Sequence, residues 1–196
     1  MFSFYLPHEL KKIGLGGFGH DVIIKKTVQL YNPSKIFFGN NVIVDDFCLI
    51  TAEKDVVIKN NVHINAYSSI FGKYGIEMED FSGLSCRVSL YSESDDYTGN
   101  SLTNPTIPIK FKPKYNTGKI HLNKHVIIGS GSTVLPGITV GEGSAVGAHS
   151  LVTKDLSSWS MYFGAPVKKI RNRSKKILEL EQDFSNQSPT EKANLT

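Results

Sequence analysis

A glycine pattern near the start of the chain is the first feature that could do chemistry. Gly14, Gly16 and Gly19 have the spacing of the loop that holds the pyrophosphate of a bound dinucleotide. Such a loop needs a strand before it, a helix after it and an acidic residue about 20 positions further on. Here the residues after Gly19 continue a β repeat described below and no helix follows, so we predict that this segment binds no dinucleotide.

A second candidate is a basic run near the carboxyl end of the chain. It contains Lys168, Lys169, Arg171, Arg173, Lys175 and Lys176. A run of like charges is most often a solvated surface. Lys and Arg are also the side chains that pair with phosphate groups, so a phosphate site is the alternative interpretation.

A third candidate is the carboxylate pair Asp95 and Asp96, which lies in the polar stretch SESDDYTGN. From the residue types alone, such a pair most often caps a turn or is solvated. A role as a positioned proton acceptor stays open. The two cysteines, Cys48 and Cys86, have neither disulfide nor metal-ligand spacing, so we expect no metal.

Composition excludes several classes of protein. The net charge of +4 is too small to imply nucleic-acid binding, and no apolar run is long enough to insert into a membrane. The first residues, MFSFYLPHELKKI, carry charges and lack a cleavage signal. We therefore expect a soluble, cytoplasmic protein.

The elements that must position these residues are revealed by a repeat. Large apolar residues occur in groups of three, and the members of a group are six positions apart. Among the first four groups, the last residue of one group and the first residue of the next are eight positions apart. The positions are Phe18, Ile24, Leu30, Phe38, Val44, Ile50, Ile58, Ile64, Ile70, Met78, Leu84, Leu90, Leu122, Ile128, Val134, Val140, Val146 and Val152. An α-helix cannot hold a period of six, whereas three short strands per turn of a solenoid can.

Smaller residues support this interpretation. A small or apolar residue follows most of these positions after four residues, and Gly, Asn or Asp often follows directly, as at Gly39, Asn65 and Gly129. We expect those directly following residues to adopt the positive φ of tight corners. The pattern predicts an all-β fold, a parallel β-helix of about six coils.

Two segments interrupt or follow the repeat. The excursion 91–119 is rich in aromatic residues, which favours a functional loop over disorder. We divide the chain into a short N-terminal helix and Gly-rich linker (1–17), the β-helix domain (18–157), a basic segment with a C-terminal α-helix (158–185) and a loose tail (186–196).

The stretch VIIGSGSTVLPGITVGEGSAVGAHSLV and the following GAP resemble the hexapeptide-repeat acyltransferases. The resemblance implies a left-handed β-helix, a homotrimer with active sites between subunits, and an acyl group supplied by acetyl-CoA or another short acyl-CoA. By position in the family motif, it implies coenzyme A contacts at Ser130, Ala148, Thr153, Lys154, Lys168 and Arg171. The basic run then becomes a phosphate site rather than a solvated surface.

The loop sequence narrows the resemblance. SCRVSLYSESDDYTGN, followed by TNP, is similar to the enzymes that N-acylate nucleotide-linked 4-amino-4,6-dideoxy sugars, such as the dTDP-viosamine acetyltransferases. The histidine that usually serves the family as base is absent from this stretch. An amine is nucleophilic once neutral and needs orientation, whereas a hydroxyl needs a strong positioned base.

The resemblance therefore implies N-acyl transfer to a nucleotide-linked amino sugar during surface polysaccharide biosynthesis. It implies catalytic roles for Asp95, Asp96 and Ser85, and substrate stacking by Tyr91 and Tyr97. Two alternatives remain: an O-acetyltransferase of a lipopolysaccharide or capsule sugar, and a scaffold without chemistry. The histidines between core positions, such as His125 and His149, are expected to face outward, and one could still be a base.

Overall fold

A short helix opens the structure, which is a computed structural model that describes residues 3–186. Helix α1 (Pro7–Ile13) begins with a proline. The N–H groups of a first helical turn have no partner within the helix, so a residue without an N–H is tolerated there. The Leu6 N–H donates to Glu9 Oε2 at 2.7 Å, and Gly14 ends the helix in the left-handed region at φ 79°. Leu10 on α1 is buried in the core.

The chain then winds into a three-sided prism, whose sides we call face 1, face 2 and face 3. Face 1 consists of β1 (Gly17–Phe18), β4 (Ile36–Phe38), β7 (Val56–Ile58), β10 (Ile76–Met78), β15 (Ile120–Leu122) and β18 (Thr139–Val140). Face 2 consists of β2 (Val22–Ile24), β5 (Val42–Val44), β8 (Val62–Ile64), β11 (Gly83–Leu84), β16 (Ile127–Ile128), β19 (Ala145–Val146), β21 (Ser160–Phe163) and β22 (Lys168–Asn172). Face 3 consists of β3 (Gln29–Tyr31), β6 (Leu49–Ala52), β9 (Ser69–Gly72), β12 (Ser89–Tyr91), β17 (Thr133–Val134) and β20 (Leu151–Val152).

One strand from each face makes one coil, and all pairings between coils are parallel. The predicted β-helix is confirmed, but the count of about six coils is too low, because Leu156 and β21 form part of a seventh. The repeat ends at Val152 because the seventh coil has a shorter step: Leu156 bridges to Val140 and Tyr162 pairs with Val146. The left-handed winding stays a prediction from the resemblance.

The predicted aliphatic positions form the core. All of them are buried except Phe18 and Leu30, which are partly buried in the first coil because no coil stacks beyond it. On faces 1 and 2, most strands of three residues contribute a second buried residue two positions earlier, as at Val42 and Val62. This follows from the alternation of side chains along a strand.

The corners differ from the expectation. Positive φ occurs three residues after the aliphatic position, at Asn41 and Asn61 (both 55°) for example, and not at the residue that follows it directly. The glycines at that directly following position are required by close approach instead. A Cβ on Gly129 would lie 2.5 Å from the backbone N of Ala148 in the next coil.

The carboxyl end folds back across the prism. Strand β22 pairs antiparallel with β21, so the predicted basic segment begins as a strand. Arg173 Nη1 then donates to the carbonyls of His125 at 2.8 Å and Gly143 at 3.1 Å, and helix α2 (Lys176–Asn186) covers the edge between faces 1 and 2. A groove of about 460 Å³ separates α2 from face 2. Of the predicted tail, residues 187–196 lie outside the described part.

Candidate active site

Three of the predicted residues lie together on the edge between faces 2 and 3, which we call edge 2–3. Strands β11, β16 and β19 are neighbours on face 2. Ser85 follows β11 directly, and Ser130 and Ala148 lie two residues after β16 and β19. The His149 N–H donates to Ser130 O at 2.8 Å, which joins the last two corners. The three residues therefore occupy successive coils of one edge.

Ser85 is held by its backbone. Its N–H donates to Ile128 O at 2.9 Å, and its carbonyl accepts a hydrogen bond from the buried Ser68 hydroxyl at 3.1 Å. Within residues 3–186 the Ser85 hydroxyl has no hydrogen-bond partner, and the residue is half-buried. A hydroxyl fixed in this way at the surface can donate to a developing oxyanion or pass on a proton.

The two basic candidates on β22 are not equivalent. Lys168 pairs with Phe163, whose ring covers Gly147, so Lys168 lies at the end of face 2 that borders edge 2–3. Arg171 pairs with Met161 in the middle of the strand, and its Nε–H donates to the Met161 sulfur at 3.2 Å. Lys168 is therefore the nearer cation to Ser130 and Ala148.

Thr153 and Lys154 lie elsewhere. They follow β20, the last strand of face 3, and so lie on the edge between faces 3 and 1, which we call edge 3–1. Both residues are exposed, and Lys154 has no ion pair among the described residues. One protomer does not bring them together with Ser130 and Ala148.

The excursion 91–119 also leaves from edge 3–1. Its base is an antiparallel ribbon of β13 (Glu93–Ser94) and β14 (Asn116–Thr117). Asp96, 8% exposed, organises the loop: it accepts hydrogen bonds from the Thr98 hydroxyl at 2.7 Å, the Thr98 N–H at 3.1 Å and the Asn100 N–H at 2.7 Å. The Thr98 hydroxyl and these backbone donors lower the pKa of Asp96 below its usual range.

Asp95 is bound more loosely than Asp96. One carboxylate oxygen accepts the Asn104 N–H at 3.2 Å, which leaves the other oxygen without a partner in the described structure. The Asn104 carbonyl accepts a hydrogen bond from Lys112 Nζ at 2.9 Å. Lys112 is only 7% exposed and is a residue that the sequence analysis missed; a lysine between Phe111 and Pro113 carried no signal of burial.

The two predicted stacking residues differ in how much of each ring is already covered by the protein. Tyr91 is stacked on Phe71 of the neighbouring coil, with ring centroids 4.9 Å apart and planes 4° apart. Tyr97 in the loop is 90% exposed. Tyr97 is therefore free to contact a ligand, whereas one side of the Tyr91 ring is occupied.

His125 lies outside the core of the prism, but helix α2 covers it. It is 7% exposed, stacks on Phe81 at 5.2 Å, and its Nε2 lies 2.9 Å from Glu181 Oε2 of helix α2. The sequence did not show this cover, because it does not reveal where α2 packs. His149 is exposed on edge 2–3, and its ring covers Gly131.

A carboxylate and histidine cluster lies on face 1. Glu77, Glu79 and His121 converge there, but Lys59 Nζ lies between the two carboxylates, at 2.9 Å from Glu77 and 3.3 Å from Glu79. Hydrogen bonds from Lys119 and Lys59 lower the pKa of Glu77 to about 2. The lysine ammonium groups balance the carboxylates, so we interpret the cluster as an ion-pair network on the strand ladder.

Known proteins with similar sequences identify the family of the chain. The chain is 41% identical over 177 residues to the dTDP-4-amino-4,6-dideoxy-D-glucose acyltransferase of Escherichia coli, covering 90% of this chain and 92% of the relative. The chain belongs to the dTDP-4-amino-4,6-dideoxyglucose acyltransferases. The resemblance seen in the hexapeptide and loop motifs is thereby confirmed. No protein-family model matches the chain.

A solved structure of an N-acyltransferase has the same fold. AntD, an N-acyltransferase from Bacillus cereus in complex with dTDP and 3-hydroxybutyryl-CoA, superposes with a TM-score of 0.91 at 47% identity, covering 94% of this chain and 97% of AntD. An AntD variant with one serine replaced has been solved with dTDP-4-amino-4,6-dideoxyglucose and coenzyme A, and other variants replace an aspartate. The acetyltransferase domain of PglB from Neisseria gonorrhoeae, 17% identical with a TM-score of 0.56, shares the fold alone.

The acyltransferase has no helix within residues 3–186 with both the length and the apolar character that crossing a bilayer requires.

Proposed function

We propose that this enzyme transfers an acyl group from a coenzyme A thioester to the 4-amino group of dTDP-4-amino-4,6-dideoxyglucose or a closely related nucleotide amino sugar. One observation carries the proposal. Ser85, Ser130, Ala148 and Lys168 lie along a single edge of a chain that matches AntD, a protein seen with dTDP and an acyl-CoA, over 94% of its length.

Edge 2–3 suits a thioester of coenzyme A. The pantetheine arm is a thin amide chain, and the corners at Ser130, which is half-buried, and Ala148, which is exposed, carry small side chains that let such a chain approach. Lys168 lies beyond them and offers a charge-assisted contact to a phosphate group. The donor therefore runs along coils five to seven with its thioester toward Ser85 on coil four.

Asp95 suits an amine acceptor. Its partly free carboxylate can orient the amino group and take up the proton that nitrogen loses as it attacks the thioester carbonyl carbon. The C–S bond then breaks, and the thiolate leaves and is protonated. Ser85 supplies a hydroxyl to the developing oxyanion, and the exposed Tyr97 is available to contact the nucleotide.

A second protomer completes this site in our proposal. Thr153, Lys154 and the loop that carries Asp95 lie on edge 3–1, whereas Ser85 and Ser130 lie on edge 2–3. Contacts between edge 3–1 of one protomer and edge 2–3 of the next are heterologous, and they close into a ring when the rotation permits. We propose a homotrimer, as in the family that the repeat resembles, and light scattering should give three times the mass of one chain.

The deciding experiment measures release of free coenzyme A thiol with paired acceptors. dTDP-4-amino-4,6-dideoxyglucose should be acylated, and dTDP-6-deoxyglucose, which carries a hydroxyl at the same carbon, should not. Acetyl-CoA and 3-hydroxybutyryl-CoA should be compared as donors. Transfer to the hydroxyl sugar alone would favour the O-acetyltransferase alternative, for which His149 on edge 2–3 is the candidate base.

The product would be an activated sugar for glycan assembly, so we propose a role in lipopolysaccharide or another surface polysaccharide. Both substrates are cytoplasmic metabolites, and we place the reaction in the cytoplasm on that ground.

A further inference from the structure

Lys112, in the excursion 91–119, is the one buried lysine in residues 3–186. Lysine is seldom buried without a charged partner, because burial costs the ammonium its hydration. Among these residues no carboxylate pairs with Lys112. Its Nζ instead meets two uncharged groups, the Asn104 carbonyl at 2.9 Å and the Tyr115 ring at 5.3 Å from the centroid. The carbonyl that this buried ammonium holds belongs to the residue that binds Asp95.

Asn104 links Lys112 to Asp95. Its N–H donates to Asp95 Oδ2 at 3.2 Å, and its carbonyl accepts the hydrogen bond from Lys112 Nζ. Its side-chain oxygen accepts the Thr106 N–H at 3.0 Å, so the residue is held from more than one side. Within the described structure the Asn104 N–H is the only hydrogen-bond donor to the Asp95 carboxylate. The position of Asn104 therefore determines how that carboxylate is directed.

Lys112 is in turn connected to the prism through Tyr115. A second ammonium, Lys73 Nζ, also lies over the Tyr115 ring, at 5.9 Å from its centroid. Lys73 directly follows β9 of face 3, and its Nζ pairs with Glu93 of β13 at 2.9 Å. Cations at these distances are attracted to the face of an aromatic ring. The contacts of Lys112 thus extend from a coil of the prism to the residue that binds Asp95.

The loop backbone around Lys112 is held by separate contacts. The Leu102 N–H donates to Phe111 O at 3.1 Å. The Lys114 N–H donates to Ser101 Oγ at 2.7 Å. Neither contact involves the lysine side chain. A substitution can therefore remove the ammonium and leave the path of the loop unchanged.

We propose that Lys112 is a positioning residue for acyl transfer. Its ammonium fixes Asn104, and the Asn104 N–H directs the Asp95 carboxylate so that the second carboxylate oxygen receives the amino group of the acceptor. The inference rests on the proposed function, which assigns Asp95 to the amine. Lys112 touches neither substrate in this scheme and acts only through the hydrogen bond to Asp95. A displacement of about 1 Å in a catalytic group can cost roughly 10²-fold in rate.

The test begins with Lys112→Met, which keeps an unbranched side chain suited to a buried position and removes the ammonium. Turnover of dTDP-4-amino-4,6-dideoxyglucose at saturating acyl-CoA should fall about 10- to 100-fold, and the KM for acyl-CoA should stay unchanged. The matched control is Lys110→Met, which removes an exposed lysine of the same loop and should leave turnover unchanged.

Two further measurements separate positioning from general support of the loop. Adding Lys112→Met to Asp95→Asn should lower turnover little further, because the lysine acts through the carboxylate that is already gone. In NMR spectra of the wild type and Lys112→Met, the carboxyl-carbon signal of Asp95 should shift. The signal of Asp96, which Thr98 and Asn100 bind, should not move.

Other outcomes overturn the inference. If the losses of turnover multiply in the double variant, Lys112 acts independently of Asp95. If the Asp95 signal does not move, the lysine does not direct the carboxylate. If the signals of Asp95 and Asp96 both shift, Lys112 supports the loop as a whole. Failure of the proposed function looks different: the wild type would transfer no acyl group to the amino sugar, while the Asp95 signal would still respond to Lys112→Met.

Discussion

Asp95 and Asp96 are adjacent in sequence, yet the structure predicts different consequences when each is changed to asparagine. Asp96 accepts three hydrogen bonds within the loop, two of them on Oδ1 and one on Oδ2. In Asp96→Asn the amide oxygen can keep the two bonds from Thr98, but the amide NH₂ faces the Asn100 N–H and cannot accept. One of the three bonds is lost, and turnover should fall only a few-fold.

Asp95→Asn should have a much larger effect on catalysis. Asp95 has one loose loop contact, the Asn104 N–H at 3.2 Å, so its loss hardly changes the loop. If the carboxylate orients the amine and takes up its proton, turnover should fall ~10²- to 10⁴-fold, which is the usual contribution of a positioned proton acceptor. Ser85→Ala should fall between the two variants, because it removes a hydrogen bond and not a charge.

The assay is thiol release at saturating acyl-CoA over a range of pH, with hydrogen exchange of residues 93–117 as the control for loop structure. Turnover should rise with pH as the sugar ammonium loses its proton, and that limb should persist in both variants. Exchange should accelerate in Asp96→Asn only. Equal losses of turnover in the two variants would refute the distinction. Loss of activity in His149→Ala with near-normal Asp95→Asn would refute the carboxylate mechanism.

Three further predictions concern the ends and one face of the prism. Lys168→Ala should raise the KM for acyl-CoA, measured from initial rates, ~10- to 150-fold, and Arg171→Ala should raise it less. Equal increases in KM would contradict the placement of Lys168 nearer to Ser130 and Ala148. The pKa of Glu77 is lowered to about 2, so its carboxylate stabilises the fold above pH 4.5 and this contribution is lost as the pH falls toward 2. Glu77→Gln should therefore lower the free energy of unfolding, measured by urea titration, by about 1–2 kcal/mol at pH 7 and by little at pH 2. His125→Ala should speed hydrogen exchange in α2 by about tenfold, the loss of one hydrogen bond to a charged group. His63→Ala, which alters an exposed histidine at the groove wall, should not speed it.

The solenoid could be predicted from the sequence because its period is local. A large apolar residue at every sixth position is compatible with three short strands per coil and not with a helix, and all of these residues except Phe18 and Leu30 are buried as predicted. The coenzyme A and loop motifs could also be recognised from the sequence, because each is a short run of residues whose types match a family pattern. The coil count was too low because the step shortens in the seventh coil, where Leu156 and Tyr162 replace the regular aliphatic positions.

The division of the site among edges depended on the tertiary structure. The sequence places Thr153 five residues from Ala148, but a strand of face 3 separates them and puts them on different edges. Likewise, Asp95 and Asp96 have the same chemistry in a written sequence, and only the path of the loop shows which one is bound by Thr98 and Asn100.

The sequence by itself determined which side chains face the core and which family the motifs resemble, since both follow from residue types at short, regular spacing. Only the tertiary structure decided which distant groups meet. His125 and Glu181 are 56 residues apart and touch because α2 folds back over the edge between faces 1 and 2. Phe47 and Tyr67 stack on each other because consecutive coils are in register. Contacts of this kind depend on how turns of the chain align in space, which no local pattern encodes.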